Sequence, residues 1–234
     1  MNTRTARSLA LGVAAVALFA IVAPAEAQSS NSIRFRAGLF TPDAESDYWD
    51  DNFAVFTGDE GDFEEVSAGI DFRKGLGPRG GFLFSLDLYS SDVDQAYLDF
   101  VDSAGFDILH TTSLDVSAFT VGYTYDFADS RRTGFVPYAG VGGGVYVWEL
   151  QESGDFIDFA PLDPEIFSTT FSDDGEAFGW YWLAGVKFNL GPRWDFFVEG
   201  RWSTVEDELS GDFDGLGDID LGGRTVHGGI GWKF

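Results

Sequence analysis

The 234-residue sequence has no cysteine and only two histidines, His110 and His227. Without cysteine there is no disulfide framework, no thiolate metal site and no cysteine nucleophile. Two histidines cannot furnish a His-rich metal centre. Basic residues are scarce: 14 Lys+Arg stand against 39 Asp+Glu, a net charge of −25. That balance excludes a nucleic-acid partner, because contact with phosphates needs a basic face. Long hydrophobic runs are missing after residue 27. Any membrane span in the rest of the chain must therefore be made of strands closed into a barrel.

The start of the chain reads as an address. Arg4 and Arg7 precede an apolar run from Leu9 to Val22, followed by Ala25-Glu26-Ala27, a small-x-small cleavage site. This is the pattern of a secretory signal peptide over residues 1–27, leaving residues 28–234 as one domain. No cysteine follows the cleavage site, so a lipoprotein anchor is not expected.

Strict apolar alternation then recurs in eight pieces of about ten residues, the length a tilted transmembrane strand needs. The apolar faces begin with Ile33, Phe35, Ala37 and Leu39, then Val66 to Phe72, Phe82 to Leu88 and Phe119 to Phe127. They continue with Pro137 to Val147, Phe178 to Phe188, Trp194 to Trp202 and Val226 to Phe234. On the fifth piece the opposite face is Tyr138, Gly140, Gly142, Gly144 and Tyr146, and such glycines suit a narrow interior shared with bulky neighbours.

Connections between the pieces alternate in length. Lys74–Gly80, Ala128–Gly134 and Gly191–Arg193 are short, and Leu-Gly-Pro-Arg occurs twice, at 76–79 and 190–193. Pro42–Phe63, Ser91–Ile108, Leu150–Glu176 and Val205–Gly223 are long; together they hold 28 of the 39 acidic residues and no Lys or Arg. Short turns on one side and long loops on the other are the pattern of an outer-membrane barrel, not of a sandwich.

The motifs Arg34-Phe35-Arg36-Ala37-Gly38, Pro137-Tyr138-Ala139-Gly140-Val141-Gly142 and Phe197-Val198-Glu199-Gly200-Arg201-Trp202, with the aromatic end at Phe234, carry a family likeness. The chain resembles the small outer-membrane-protein β-barrel domain family, the eight-stranded type that includes the OmpA transmembrane domain and OmpX-like and OmpW-like proteins. The resemblance implies an all-β, eight-stranded antiparallel transmembrane barrel in the cell outer membrane, with both termini periplasmic. It also implies that Gly229, Trp232 and Phe234 form the signal read by the barrel-assembly machinery.

Parity places Arg34, Arg36, Asp71, Arg73, Asp87, Asp126, Lys187, Glu199, Arg201, His227 and Lys233 on inward faces. In a lumen only wide enough for side chains they should form an ionic plug. Asp212, Asp214, Asp218 and Asp220 space oxygens as calcium loops do, but Leu216 and Gly223 stand where the template needs acids. They are a candidate metal site, beside the simpler reading of a solvated acidic loop. The carboxylate-rich loops should also attract divalent cations that bridge them to lipopolysaccharide phosphates.

Tyr123, Tyr125, Phe127, Trp194 and Phe234 are expected in one interfacial girdle, and Trp148, Trp180 and Trp202 in the other. His110, near Asp107 and Ser113, is placed at the membrane rim. Tyr48, Trp49, Phe53, Phe56, Phe156, Phe159 and Phe167 should supply loop contacts to partners. The expected role is non-enzymatic, in membrane integrity or surface interaction, with no cofactor and no catalytic residue. The alternatives are a narrow OmpW-like channel for small or apolar solutes and a lipid-modifying hydrolase using His110.

Overall fold

A computed structural model describes residues 31–129, 133–161 and 163–234. The expected signal peptide, residues 1–27, lies outside the described residues. In chain order the elements are β1 (Ser32–Pro42), α1 (Asp47–Val55), a 3-10 turn (Glu60–Phe63), β2 (Glu65–Leu76), β3 (Gly80–Val101), β4 (Asp107–Asp126) and β5 (Phe135–Asp158). They continue with β6 (Glu165–Asn189), β7 (Trp194–Thr204), β8 (Glu206–Glu208), a second 3-10 turn (Gly211–Phe213), β9 (Asp218–Asp220) and β10 (Gly223–Lys233). Eight strands close antiparallel in the order β1-β10-β7-β6-β5-β4-β3-β2, and β8 pairs with β9 in a separate hairpin.

Every apolar face expected from the alternation points outward. Phe35, Val66, Val121, Val141, Phe178 and Val226 are all exposed, while Arg34, Asp71, Tyr138 and Glu199 are buried. With a pleat of period two, a single-residue slip would reverse this along a whole strand. The cross-strand registers fix it instead, for example Phe35↔Ile230, Val121↔Gly143 and Val186↔Val198. The two Leu-Gly-Pro-Arg turns each put their glycine, Gly77 or Gly191, at positive φ, which a side chain would resist.

Trp148 is a correction. It continues the inward face of β5, is buried, and donates its indole N–H to Asp207 at 2.7 Å. The outer girdle is instead marked by Trp180 and by Trp182 stacked on Trp202, with ring centroids 3.9 Å apart.

The strands differ in length. β1, β2, β7 and β10 have 11 or 12 residues, about one bilayer crossing, whereas β3 to β6 have 20 to 25. Two connections read as long loops, Ser91–Ile108 and Leu150–Glu176, are therefore mostly strand. Polar residues and carboxylates on their outer faces disguise the alternation. Above the lipid-facing belt the outer face turns polar: Thr111 bonds Asp94, Ser113 bonds Asp92, and Ser153 meets Thr170. The inner face turns apolar at the same level, through Leu114, Val116, Trp148 and Leu150.

This four-stranded trough outside the membrane is filled by the first and last long connections. The helix α1 drops Tyr48 and Trp49 into it, and the 3-10 turn adds Phe63. From the β7–β10 connection come Val205, Leu209, Phe213, Ile219 and Leu221. Ser46, at the N-cap of α1, does not cap its own helix; its hydroxyl accepts the Asp220 N–H at 2.8 Å, and the Trp49 indole donates to the Asp220 carbonyl at 3.0 Å. Tyr48, Trp49 and Phe156, expected as free loop contacts, are thus core residues; Phe159 and Phe167 remain exposed.

Candidate functional site: a sealed lumen and its cap

Six of the inward charges close into a ring. Arg34 contacts Asp71 at 3.1 Å, Asp71 contacts Arg36 at 3.0 Å, and Arg36 contacts Asp87. Asp87 contacts Arg201 at 3.0 Å, Arg201 contacts Glu199 at 3.2 Å, and Glu199 returns to Arg34 at 2.9 Å. Three cations alternate with three anions, so the ring is neutral, and Asp71 and Glu199 are fully buried. Buried charges persist only when paired and hydrogen-bonded. Here Tyr138 donates to Glu199 at 2.8 Å, and the Arg36 guanidinium lies 3.1 Å from Nε2 of His227.

Aromatic rings fill what remains. The Arg34 guanidinium lies 4.0 Å from the centre of Phe197, and that of Arg201 lies 4.4 Å from the centre of Tyr181. Inward glycines make this possible: a Cβ on Gly142 would stand 2.6 Å from the Tyr181 hydroxyl. Gly229, read as part of an assembly signal, faces the Phe197 ring in the same way. Trp232 and Phe234 lie side by side at the end of β10, ring centroids 5.1 Å apart.

Below the ring a second group forms. Lys187 reaches Asp126 at 2.5 Å, Arg73 reaches the same carboxylate at 3.4 Å, and Lys233 pairs with Asp195 at 3.2 Å. The structure therefore places all eleven inward residues named from parity in two layers of the lumen. Above the ring lies a cavity of about 50 Å³, with Ser67, Asp87, Arg201 and His227 on one side and Tyr89 and Tyr146 on the other. One water needs about 10–15 Å³ on the same measure, so the cavity has room for a few.

Over the cavity sits the aromatic cap, and within the cap a polar chain. Tyr48 donates to Glu152 at 2.7 Å, and Asn52 donates to the same carboxylate at 3.3 Å. Gln95 donates to Asn52 at 2.8 Å, and Thr112 donates to Gln95 at 2.6 Å. Burial pushes the Glu152 carboxyl and the Tyr48 hydroxyl up from their ordinary values. Composition gave no access to this chain, because Tyr48, Asn52, Gln95 and Glu152 lie in three connections assigned to loops. A continued period-two reading through Gln95 and Thr112 would have found two of its members.

His110 is not at the membrane rim. It lies on the inner face of the trough, its ring 4.2 Å from that of Phe56 and 5.2 Å from that of Phe156. Neither ring nitrogen has a hydrogen-bond partner, and burial lowers its pKa to about 4. Strand parity sends the Ser113 hydroxyl to the opposite face, where it donates to Asp92 at 2.6 Å. The serine and histidine of the hydrolase reading do not meet.

The four aspartates of the calcium-like loop are spread apart. Asp212 accepts the Ser172 N–H at 3.0 Å, Asp220 accepts the Gly222 N–H at 2.7 Å, and Asp218 stands on β9. Among the described residues no group of three or more His, Asp or Glu converges as a metal site would.

A closed eight-stranded barrel with an apolar outer belt and a charged interior defines an outer-membrane β-barrel protein. The chain belongs to the outer membrane protein beta-barrel domain family, whose profile matches residues 11–234. It resides in the cell outer membrane. Among solved structures it resembles OprG of Pseudomonas aeruginosa at 14% identity, over 88% of this chain and 96% of that one, with a TM-score of 0.53. It also resembles Neisserial surface protein A at 13% identity, over 90% and 100% of the two chains, with a TM-score of 0.48. Such identities show the fold alone. No curated protein matches the chain.

Proposed function

We propose that this is a closed, non-enzymatic barrel whose task is to hold a folded acidic domain above the outer membrane for surface interaction. The observation that carries the reading is the double seal: the six-membered ionic ring crosses the lumen, and the aromatic cap covers it from outside. A solute path would have to break both.

A row of like charges supports a role at the lipid surface. On the outer face, just above the apolar belt, Asp115 stands directly opposite Glu149, and Glu149 directly opposite Asp174. Like charges facing across strands are destabilising. Divalent cations shared with lipopolysaccharide phosphates would neutralise the row at the height where those phosphates lie. The partners proposed are therefore lipopolysaccharide through divalent cations, and an external macromolecule at the exposed end of the trough.

Conductance of refolded protein in planar bilayers tests the reading. No steady current is expected. Stable unitary currents that vanish on truncating the barrel would establish the narrow channel instead.

A further inference from the structure

The trough has two free edges, and the chain treats them differently. On the β3 edge its own first connection is docked: the Thr57 N–H donates to the Ala96 carbonyl at 2.8 Å, the Ala96 N–H donates to the Thr57 hydroxyl at 2.9 Å, and Phe56 bridges to Tyr97. On the β6 edge, pairing with β7 stops at Trp180↔Thr204. Side-chain and turn contacts follow, Ser172 N–H to Asp212 at 3.0 Å and the Ser210 N–H and hydroxyl to Asp173 at 2.6 and 3.0 Å. Beyond them, among the described residues, no strand pairs with 165–171 on that side.

The open stretch has an unusual composition for this chain. Ile166-Phe167-Ser168-Thr169-Thr170-Phe171-Ser172 carries no charge, no proline and no glycine, and is rich in β-branched and aromatic residues. Natural edge strands are normally blunted by charge, proline or bulges. Because the Ser172 N–H points to the open edge, the alternation of a strand sends the main-chain N–H and C=O of Ile166, Ser168 and Thr170 there as well. Phe167, Thr169 and Phe171 serve the ladder to β5. Phe167 is 40% exposed and lies toward the trough interior with Phe171.

We propose that the β6 edge at residues 166–171 is a docking strand that takes an extended segment of a basic partner protein as a fifth strand of the trough. The inference rests on the surface-interaction reading and deepens it. Main-chain bonds would supply binding, and alternate side chains would supply selectivity. One face of the added strand would set apolar residues beside Phe167 and Phe171. Its charges would be positive, because Asp163, Glu165, Asp173 and Asp174 flank the run and the four long connections contain no Lys or Arg. A second copy is the wrong occupant. Two barrels in one membrane stand parallel, and strands tilted about 35–45° would cross instead of aligning when brought edge to edge. Both copies would also carry the same net charge of −25.

The test uses the full-length mature barrel in phosphatidylcholine nanodiscs, with hydrogen exchange read at single amides. The probe is a capped heptapeptide, Lys-Val-Lys-Val-Lys-Val-Lys, and its control is the same peptide N-methylated at alternate backbone nitrogens. The parent peptide should slow exchange at Ile166, Ser168 and Thr170, and the N-methylated one should bind at least tenfold more weakly. The double substitution Ser168→Pro/Thr170→Pro removes donors that the β5 ladder does not use, so it should reduce the parent peptide to the level of the control. Persisting protection at Thr169 and Phe171 verifies that this variant is folded. Equal binding of both peptides, or no binding beyond empty nanodiscs, would overturn the docking strand. Protection confined to α1 or the β8–β9 hairpin would overturn it too, while leaving the surface-interaction reading intact.

Discussion

In the lower lumen six charged side chains from β1, β2, β3 and β7 interlock at hydrogen-bond distance; in the cap, Trp49, Phe63, Phe213 and Ile219 pack with no charge among them. Both fill the same tube of strands. The difference follows from what lies outside the wall. Inside the bilayer the outer face must be apolar, so polar residues gather inward, and pairing is the only way to keep them there. Above the bilayer the outer face meets water, and the same strands exchange their faces. The lesson is that this sheet inverts at the membrane surface without any break in its strands.

The largest effect should come from opening the ring. Arg36→Met leaves Asp71 and Asp87 short of a partner and should cost about 3–5 kcal/mol. A lowered urea midpoint for refolding into lipid vesicles would show it. An unchanged midpoint would mean that water, not pairing, satisfies these carboxylates.

Trp49→Ala should cost a similar amount by the cavity it leaves, about 3–5 kcal/mol, but only within the cap. Exchange should rise in α1 and in β8–β9, while the heat-dependent shift on SDS gels persists. Loss of the gel shift would show that cap and barrel are one cooperative unit.

Val186→Arg puts a charge on the lipid face and should cost about 2–4 kcal/mol of assembly. Asp158→Arg, at the far end of the trough, should cost nothing measurable. Equal tolerance of both would remove the basis for the inversion.

The smallest effect is acid loosening of the cap. His110 is held neutral by burial, with a pKa lowered to about 4 from the ordinary 6.5. A group depressed in this way lends stability that is complete above 6.5 and is lost as pH falls from there toward 4. Amide exchange in α1 should therefore quicken over that window, and His110→Phe should flatten the dependence. Asp220, raised to about 6 chiefly by burial, works in the opposite sense, so the parent protein and His110→Phe should be compared at matched pH.

Much of the barrel was legible in the sequence because lipid enforces alternation strictly: all eight outward faces were assigned by parity, and the ionic lumen followed from them. The cap was not legible. The alternation at Ile108, His110, Thr112 and Leu114 continues that of β4, but carboxylates at Asp92, Asp94, Asp107 and Asp115 gave those stretches the composition of a loop. Trp148 was misplaced for a related reason. Tryptophan near a rim suggests an interface, yet its even position on β5 already assigned it inward. The pairing of particular charges around the ring needed cross-strand register, which no single strand contains.

The ring also bears on the order of events in assembly. Its members come from the first strands of the chain and from the second-last strand of the barrel, Arg34 and Glu199 standing 165 positions apart in the sequence. Early hairpins can unite Arg34, Arg36, Asp71 and Asp87, but that set is missing both Glu199 and Arg201. Only when β7 and β10 arrive to meet β1 is the alternation complete. Closing the seam and closing the ring are thus one step, so an unfinished barrel leaves Arg34 and Asp87, the two ends of the charge chain, without the second partners that Glu199 and Arg201 provide.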